Sequence, residues 1–273
     1  MTMPSMPERQ SMSLPGGVIT FREAGTEHEG EIPLVLLHGI NINSGIWMHQ
    51  FAHFADQYHV VAWDAPSYGG STPRDGDVQE YAGALCEFID TLDFDEIYLV
   101  GHSLGGVIAG AFAGRYPNRL KALVLSCTHP GAARPAGEPL HEKYLKRIEE
   151  RQSCDPVEYG RLQAAKMTTD DTPPELIEEI AAIVAENPAE HFPLNARMSQ
   201  EADNRAGLAK LTVPTLIING GHDRLGSSKG QQDLIAVMPQ AQTHVFEHCG
   251  HSPYLEDPAA YNETLEAFLN KVA

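Results

Sequence analysis

The chain is short of cations, of paired cysteines and of long apolar runs, and each shortage closes off a class of function. Lys and Arg number 19 against 37 Asp and Glu, a formal net charge of -18. A broad electrostatic grip on nucleic acid or on a membrane surface is therefore not expected. The four cysteines, Cys86, Cys127, Cys154 and Cys249, show no CxxC spacing. Its absence argues against a zinc site, and a chain of 273 residues needs no covalent staples. Reduced thiols and a cytoplasmic location are expected. An apolar stretch near membrane length, 97–114, has eighteen residues without a formal charge, against the ~20 of a spanning helix. Its five glycines, with His102 and Ser103, suit a buried strand, a tight turn and a buried helix instead. Residues 1–15 carry three prolines and no apolar core run, so they lack the central segment of a signal peptide and read as a flexible N-terminal tail.

What is present is globular: 42% hydrophobic and 21% charged residues, in a length that holds one large α/β domain with room for an insert. Short apolar runs at 18–22, 33–37, 59–63, 97–100 and 122–125 alternate with helical patterns, the mark of βαβ units and a mostly parallel sheet. Asp77 and Glu80 form a capping-box pair, after which Tyr81, Leu85, Phe88, Ile89 and Leu92 share one helical face. Leu104, Val107, Ile108, Ala111 and Phe112 make a second stripe, ended by Pro117. From 130 to 208 helix signals recur without strand signals, with Asp155-Pro156, Thr172-Pro173 and Asn187-Pro188 as helix starts. Strands then return at 213–219 and 243–247, with helices at 231–237 and 258–272. The expected architecture is an α/β core of 16–129 and 209–273 interrupted by a helical cap at 130–208.

Gly101-His102-Ser103-Leu104-Gly105 is a GxSxG motif lying between a strand and a helix. Glycine permits a turn too tight for side chains and leaves the serine hydroxyl exposed at a helix N-terminus. A phosphate loop is disfavoured because no Lys follows the last glycine. Serine needs a base to take its proton, and the base needs an acid to orient it. Asp223 and His251 each follow a predicted strand, in the chain order that this topology expects. Residues 126–128, after the strand that is the other common place for the acid, offer no carboxylate. His251 has rivals in His129, His222 and His248. Two backbone N–H groups, of Ile40 and Leu104, are the expected oxyanion donors, and His38 reads as a loop-bonding histidine.

These motifs resemble the α/β-hydrolase superfamily over nearly the whole chain. The matching pieces are His38-Gly39 with Trp47 beyond, the segment from Asp64 to Ser71, the turn at Ser103, Val213-Pro214 leading to Asp223, and Gly250-His251-Ser252-Pro253. Ser67 stands where the family usually has glycine. The resemblance implies an α/β-hydrolase fold and excludes the epoxide hydrolases and haloalkane dehalogenases, which use aspartate where this chain has Ser103. It is nearest the lidded serine esterase and lactonase branch, similar to β-ketoadipate enol-lactonases and small carboxylesterases. The implied activity is cleavage of a small ester or lactone with no cofactor and no metal. A carbon–carbon bond hydrolase and a triad-bearing receptor with slow turnover are the alternatives, and a homodimer is left open. Arg134, Arg161, Lys166 and Arg197 are candidates for holding a substrate carboxylate, whereas the charge run 141–151 reads as a solvated helix face.

Overall fold

The computed structural model describes residues 4–28 and 30–273. Eight strands form one sheet: β1 Gln10–Leu14, β2 Gly17–Ala24, β3 Leu34–Leu37, β4 Val60–Trp63, β5 Ile97–His102, β6 Leu120–Ser126, β7 Thr215–Gly220 and β8 Gln242–Phe246, in the order β1-β2-β4-β3-β5-β6-β7-β8. The first two pairings are antiparallel and all the others parallel. Alternate residues of each strand serve opposite faces. Val35, Leu37, Val61, Trp63, Leu99 and Leu123 pack on one side with the helices α2 (Val78–Thr91) and α3 (Leu104–Arg115). Leu34, Leu36, Val60, Ala62, Val100 and Val124 pack on the other with α1 (Met48–Phe54) and α11 (Pro258–Val272). Because β3 to β6 are covered on both faces, their sequences are continuous apolar runs, as parallel strands require.

The tail expectation is corrected here for residues 10–14, which form β1 and pair residue by residue with β2. Residues 1–3 of that expected tail lie outside the described residues. Only Leu14 of β1 is buried, with Met12 partly so, so its order comes largely from backbone pairing at a sheet edge, which leaves only a short apolar alternation in the sequence. Arg9, just before it, pairs with the fully buried Asp64 and with Glu186. Asp64 also accepts from Ser44 N (2.7 Å) and Thr20 Oγ1 (2.6 Å), tying the segment before β1, strand β2 and the turn at Ser44 at one carboxylate.

Between β6 and β7 lie α4 (Glu142–Ser153), α5 (Pro156–Met167), α6 (Pro174–Ala185), α7 (Phe192–Glu201) and the short α8 (Arg205–Leu208). Asp155 caps α5 as expected, accepting from Val157 and Glu158 N. Thr172-Pro173 lies one residue early, since Pro173 is the cap of α6. Asn187 caps nothing; its amide bonds the Asn41 and Ile183 carbonyls and joins the helical segment to the core. The chain closes through α9 (Ser228–Val237) and the short α10 (Pro253–Glu256) before α11.

Candidate active site

Parallel strands deliver the residues that follow them to one edge of the sheet, and β3, β5, β6, β7 and β8 each bring a piece of the site there. Ser103, between β5 and α3, has φ 53 and ψ -114, a backbone state that costs a non-glycine residue energy and marks a turn held by its surroundings. Those surroundings are identifiable. Ser103 N donates to Ser126 O (2.9 Å), and Thr128 Oγ1 donates to Ser103 O (2.6 Å). A Cβ on Gly105 would fall 2.3 Å from the Leu37 carbonyl oxygen, and one on Gly39 would fall 3.2 Å from the Ser103 Cβ. Glycine at these two places lets the turn after β3 and the start of α3 touch. Ile40 and Leu104 each adjoin one of these glycines and line one cavity, and neither N–H has a protein acceptor among the described residues.

Asp223 and His251 come together: His251 Nδ1 donates to Asp223 Oδ2 at 2.8 Å, with both side chains buried. The carboxylate also accepts from Leu225 N (2.9 Å), Gly226 N (2.7 Å) and Gln231 Nε2 (3.0 Å). Burial opposes the charge on Asp223, but His251 and the Gly226 and Leu225 backbone amides outweigh it and hold the carboxyl below its ordinary pKa. With Nδ1 engaged, the other ring nitrogen of His251 is the one free to act as a base. Ser103 and His251 line the same cavity, of about 580 Å³, with Ile40, Leu104, Tyr144 and Met167.

The rival histidines sit elsewhere in the chemistry. His248 is exposed and pairs with Asp257, and His222 is exposed on its turn. His129 lines the cavity, but its Nδ1 accepts from Gly131 N (3.1 Å) and burial pulls its pKa down to about 4. His38 ties the loop after β3 to the loop after β4, donating to Gly39 O (2.7 Å) and accepting from Ala65 N (3.0 Å). His102, fully buried, has its ring 4.8 Å from that of His251, and burial and then the neighbouring His251 hold its pKa well below the ordinary value. Cys127, Asp223 and His251 offer three donor atoms within 4.8 Å of one another. Burial and then the Asp223 charge push the Cys127 thiol far up in pKa, and the carboxylate is already saturated with hydrogen bonds. That donor set fits an acid–base pair better than a metal.

Sequence reasoning missed Gln231 and Thr128, because a single amide on a helix and a threonine after a strand carry no spacing signal. It also misjudged the cap. Arg134, Arg161 and Arg197 pair with Glu138, Glu178 and Glu201 away from the cavity, and Lys166 alone of the four lines it. The run 141–151 does not face only solvent: Lys143, Arg147 and Glu150 of α4 line the cavity.

The fold and this edge can be set beside known proteins. The chain is 24% identical over 243 residues to 3-oxoadipate enol-lactonase 2 of Acinetobacter baylyi, covering 87% of this chain and 88% of that one. It is 29% identical to a 2-hydroxy-6-oxononadienedioate/2-hydroxy-6-oxononatrienedioate hydrolase of Cupriavidus pinatubonensis, covering 92% and 94%. A thermophilic esterase from Thermogutta terrifontis superposes with a TM-score of 0.82 at 26% identity, over 97% of this chain and 99% of that one. The sequence profile of the alpha/beta hydrolase fold matches residues 32–258. That match takes in β3 to β8, the turn at Ser103 and both later loops, and the chain belongs to the α/β-hydrolase family.

Proposed function

We propose that the protein is a serine hydrolase that cleaves a small carboxylic ester or lactone through an acyl-enzyme, without a cofactor. The observation that carries this reading is the 2.8 Å contact between Asp223 and His251, buried beside the cavity into which the strained Ser103 turn opens. His251 takes the Ser103 proton as Oγ attacks the ester carbonyl, and Asp223 holds the ring and stabilises the imidazolium. The carbonyl oxygen becomes an oxyanion that accepts from the Ile40 and Leu104 N–H groups. The intermediate collapses, the carbon–oxygen bond breaks, and the alcohol leaves with the proton from His251. Water then repeats the sequence on the acyl-enzyme and releases the acid, restoring Ser103.

A second reading has support from the 29% identical relative named as a 2-hydroxy-6-oxononadienedioate/2-hydroxy-6-oxononatrienedioate hydrolase. In that reading the same serine and histidine serve cleavage of a carbon–carbon bond. The direct test is a panel of 4-nitrophenyl acetate, 4-nitrophenyl butyrate and simple lactones, with Ser103→Ala as control. Native turnover that falls on the order of 10⁴–10⁶-fold in the variant is expected. A loss of only tenfold contradicts the nucleophile. No native turnover on the panel favours the carbon–carbon or the receptor reading.

A further inference from the structure

The cavity over Ser103 differs in charge from the rest of the molecule. In a chain of net charge -18, seven of the nineteen Lys and Arg side chains line this cavity, against two carboxylates, Glu150 and Asp233. Three of the seven are matched: Lys166 with Glu150, Arg224 with Asp170, and Arg205 with Asp203 and Asp233. Lys143 and Arg147, with Lys146 and Lys229, have no carboxylate within 4.0 Å among the described residues.

Positions 143, 146, 147 and 150 follow the i, i+3, i+4, i+7 spacing of one helix face. The charged stripe of α4 is thus the one turned to the cavity, and Tyr144 beside it anchors the helix against Ile40 and Phe192. Arg147 is the best placed. Its guanidinium lies 5.2 Å from the Phe192 ring centroid, and its Nε is sealed from solvent with no acceptor among the described residues. Burial raises the pKa of the neighbouring Tyr159 phenol and the Arg147 charge opposes that rise. The Tyr159 oxygen accepts from Asn41 Nδ2 at 2.8 Å, one residue past the Ile40 turn. The guanidinium therefore stands beside the loop that carries an expected oxyanion donor. Like charges gathered without partners around a partly enclosed cavity repel one another, and a bound anion relieves that cost.

We propose that the substrate carries a carboxylate remote from the scissile carbonyl, received by Arg147 as a planar fork and by Lys143 as a point charge. The substrate class is then the half-ester of a short dicarboxylic acid, or a lactone of matching charge. This rests on the hydrolase reading for the bond that breaks, but the anion site itself can be tested apart from turnover.

The test compares monoethyl glutarate with its uncharged amide, ethyl 5-amino-5-oxopentanoate, in native, Arg147→Gln and Lys143→Gln/Arg147→Gln proteins, with Arg161→Gln as a control outside the cavity. A native kcat/KM ratio of at least ten in favour of the anion is expected, shrinking as salt is raised. Arg147→Gln should cut the ratio at least fivefold and the double variant should bring it near one, with Arg161→Gln leaving it in place. Titration calorimetry on the Ser103→Ala protein should show the same order in Kd. Native ratios within threefold of one, or a double variant that keeps the preference, overturn the proposal. Preference for ethyl 4-phosphonobutyrate over monoethyl glutarate overturns the carboxylate assignment in favour of a phosphate-like group. If neither ester is hydrolysed, tenfold tighter calorimetric binding of the anion that is lost in the double variant upholds the anion site and counts against the hydrolase reading; equal binding overturns the site.

Discussion

Ser67 shows what a single residue can cost. It lies in the segment from Asp64 to Ser71 at φ 82, a left-handed state that glycine adopts freely and that costs an L side chain roughly 1–2 kcal/mol. The sequence already marks the position, since Ser67 replaces the glycine usual in similar proteins, and the structure shows the loop keeping the glycine conformation nonetheless. Asp64 explains how: the buried carboxylate grips Ser44 N and Thr20 Oγ1, and Ser71 Oγ donates to its backbone oxygen at 2.7 Å. Ser67→Gly is expected to raise stability to urea by about 1 kcal/mol, the strain removed being partly offset by the extra chain entropy of glycine. A fall in stability would show that the serine side chain contributes more than its backbone costs. At this scale Ser103, Asp223 and His251 were legible because each combines a reactive residue type with a strand exit. Gln231 and Arg147 were not, because helix surfaces carry many such side chains and only tertiary packing selects among them.

Among the elements, the carboxyl ends of three parallel strands each carry a histidine: His38 after β3 and His102 ending β5, both fully buried, and the partly buried His129 after β6. Burial is the main cause that lowers the pKa of all three, that of His129 to about 4. The unfolded chain binds these protons near pH 6.5, so as pH falls through that value the unfolded state takes up protons that the folded state refuses. Stability should therefore be fully present above about pH 6.5 and decline steadily toward pH 4. With its ring edge still meeting solvent, His129 should account for about 1 kcal/mol of the loss at pH 5. Urea unfolding at pH 7 and pH 5 checks this, with His129→Gln losing less between the two than native protein. An equal loss would place the acid sensitivity elsewhere. Element legibility divides on the same physical line. Strands β3 to β6 were readable because burial on both faces writes continuous apolar runs, and α2 because one face writes a 3.6-residue stripe. Strand β1 was not, since an edge strand held by backbone pairing needs no such pattern. In α4 the charged face looked like a solvent face because a cavity lined by cations and a surface have the same composition.

For the molecule as a whole, the sheet order explains why residues as far apart in sequence as Ile40, Ser103, Asp223 and His251 converge. Each follows a strand of the same parallel set, and the helical segment between β6 and β7 supplies the opposite wall of the cavity. The fold was therefore legible from the alternation of apolar runs and stripes, and the candidate site from residue types at strand exits, whereas the charge that the helical segment between β6 and β7 turns to the cavity emerges only when the two are packed together. On the proposed reading this convergence makes Ser103 the activated nucleophile, and covalent labelling tests that most directly. Native protein treated with a 4-nitrophenyl alkylphosphonate and mapped by mass spectrometry should carry one adduct, on Ser103, formed in step with loss of activity and strongly slowed in His251→Ala protein. An adduct mapped to any other residue, or labelling of Ser103 at the same rate without His251, would contradict it.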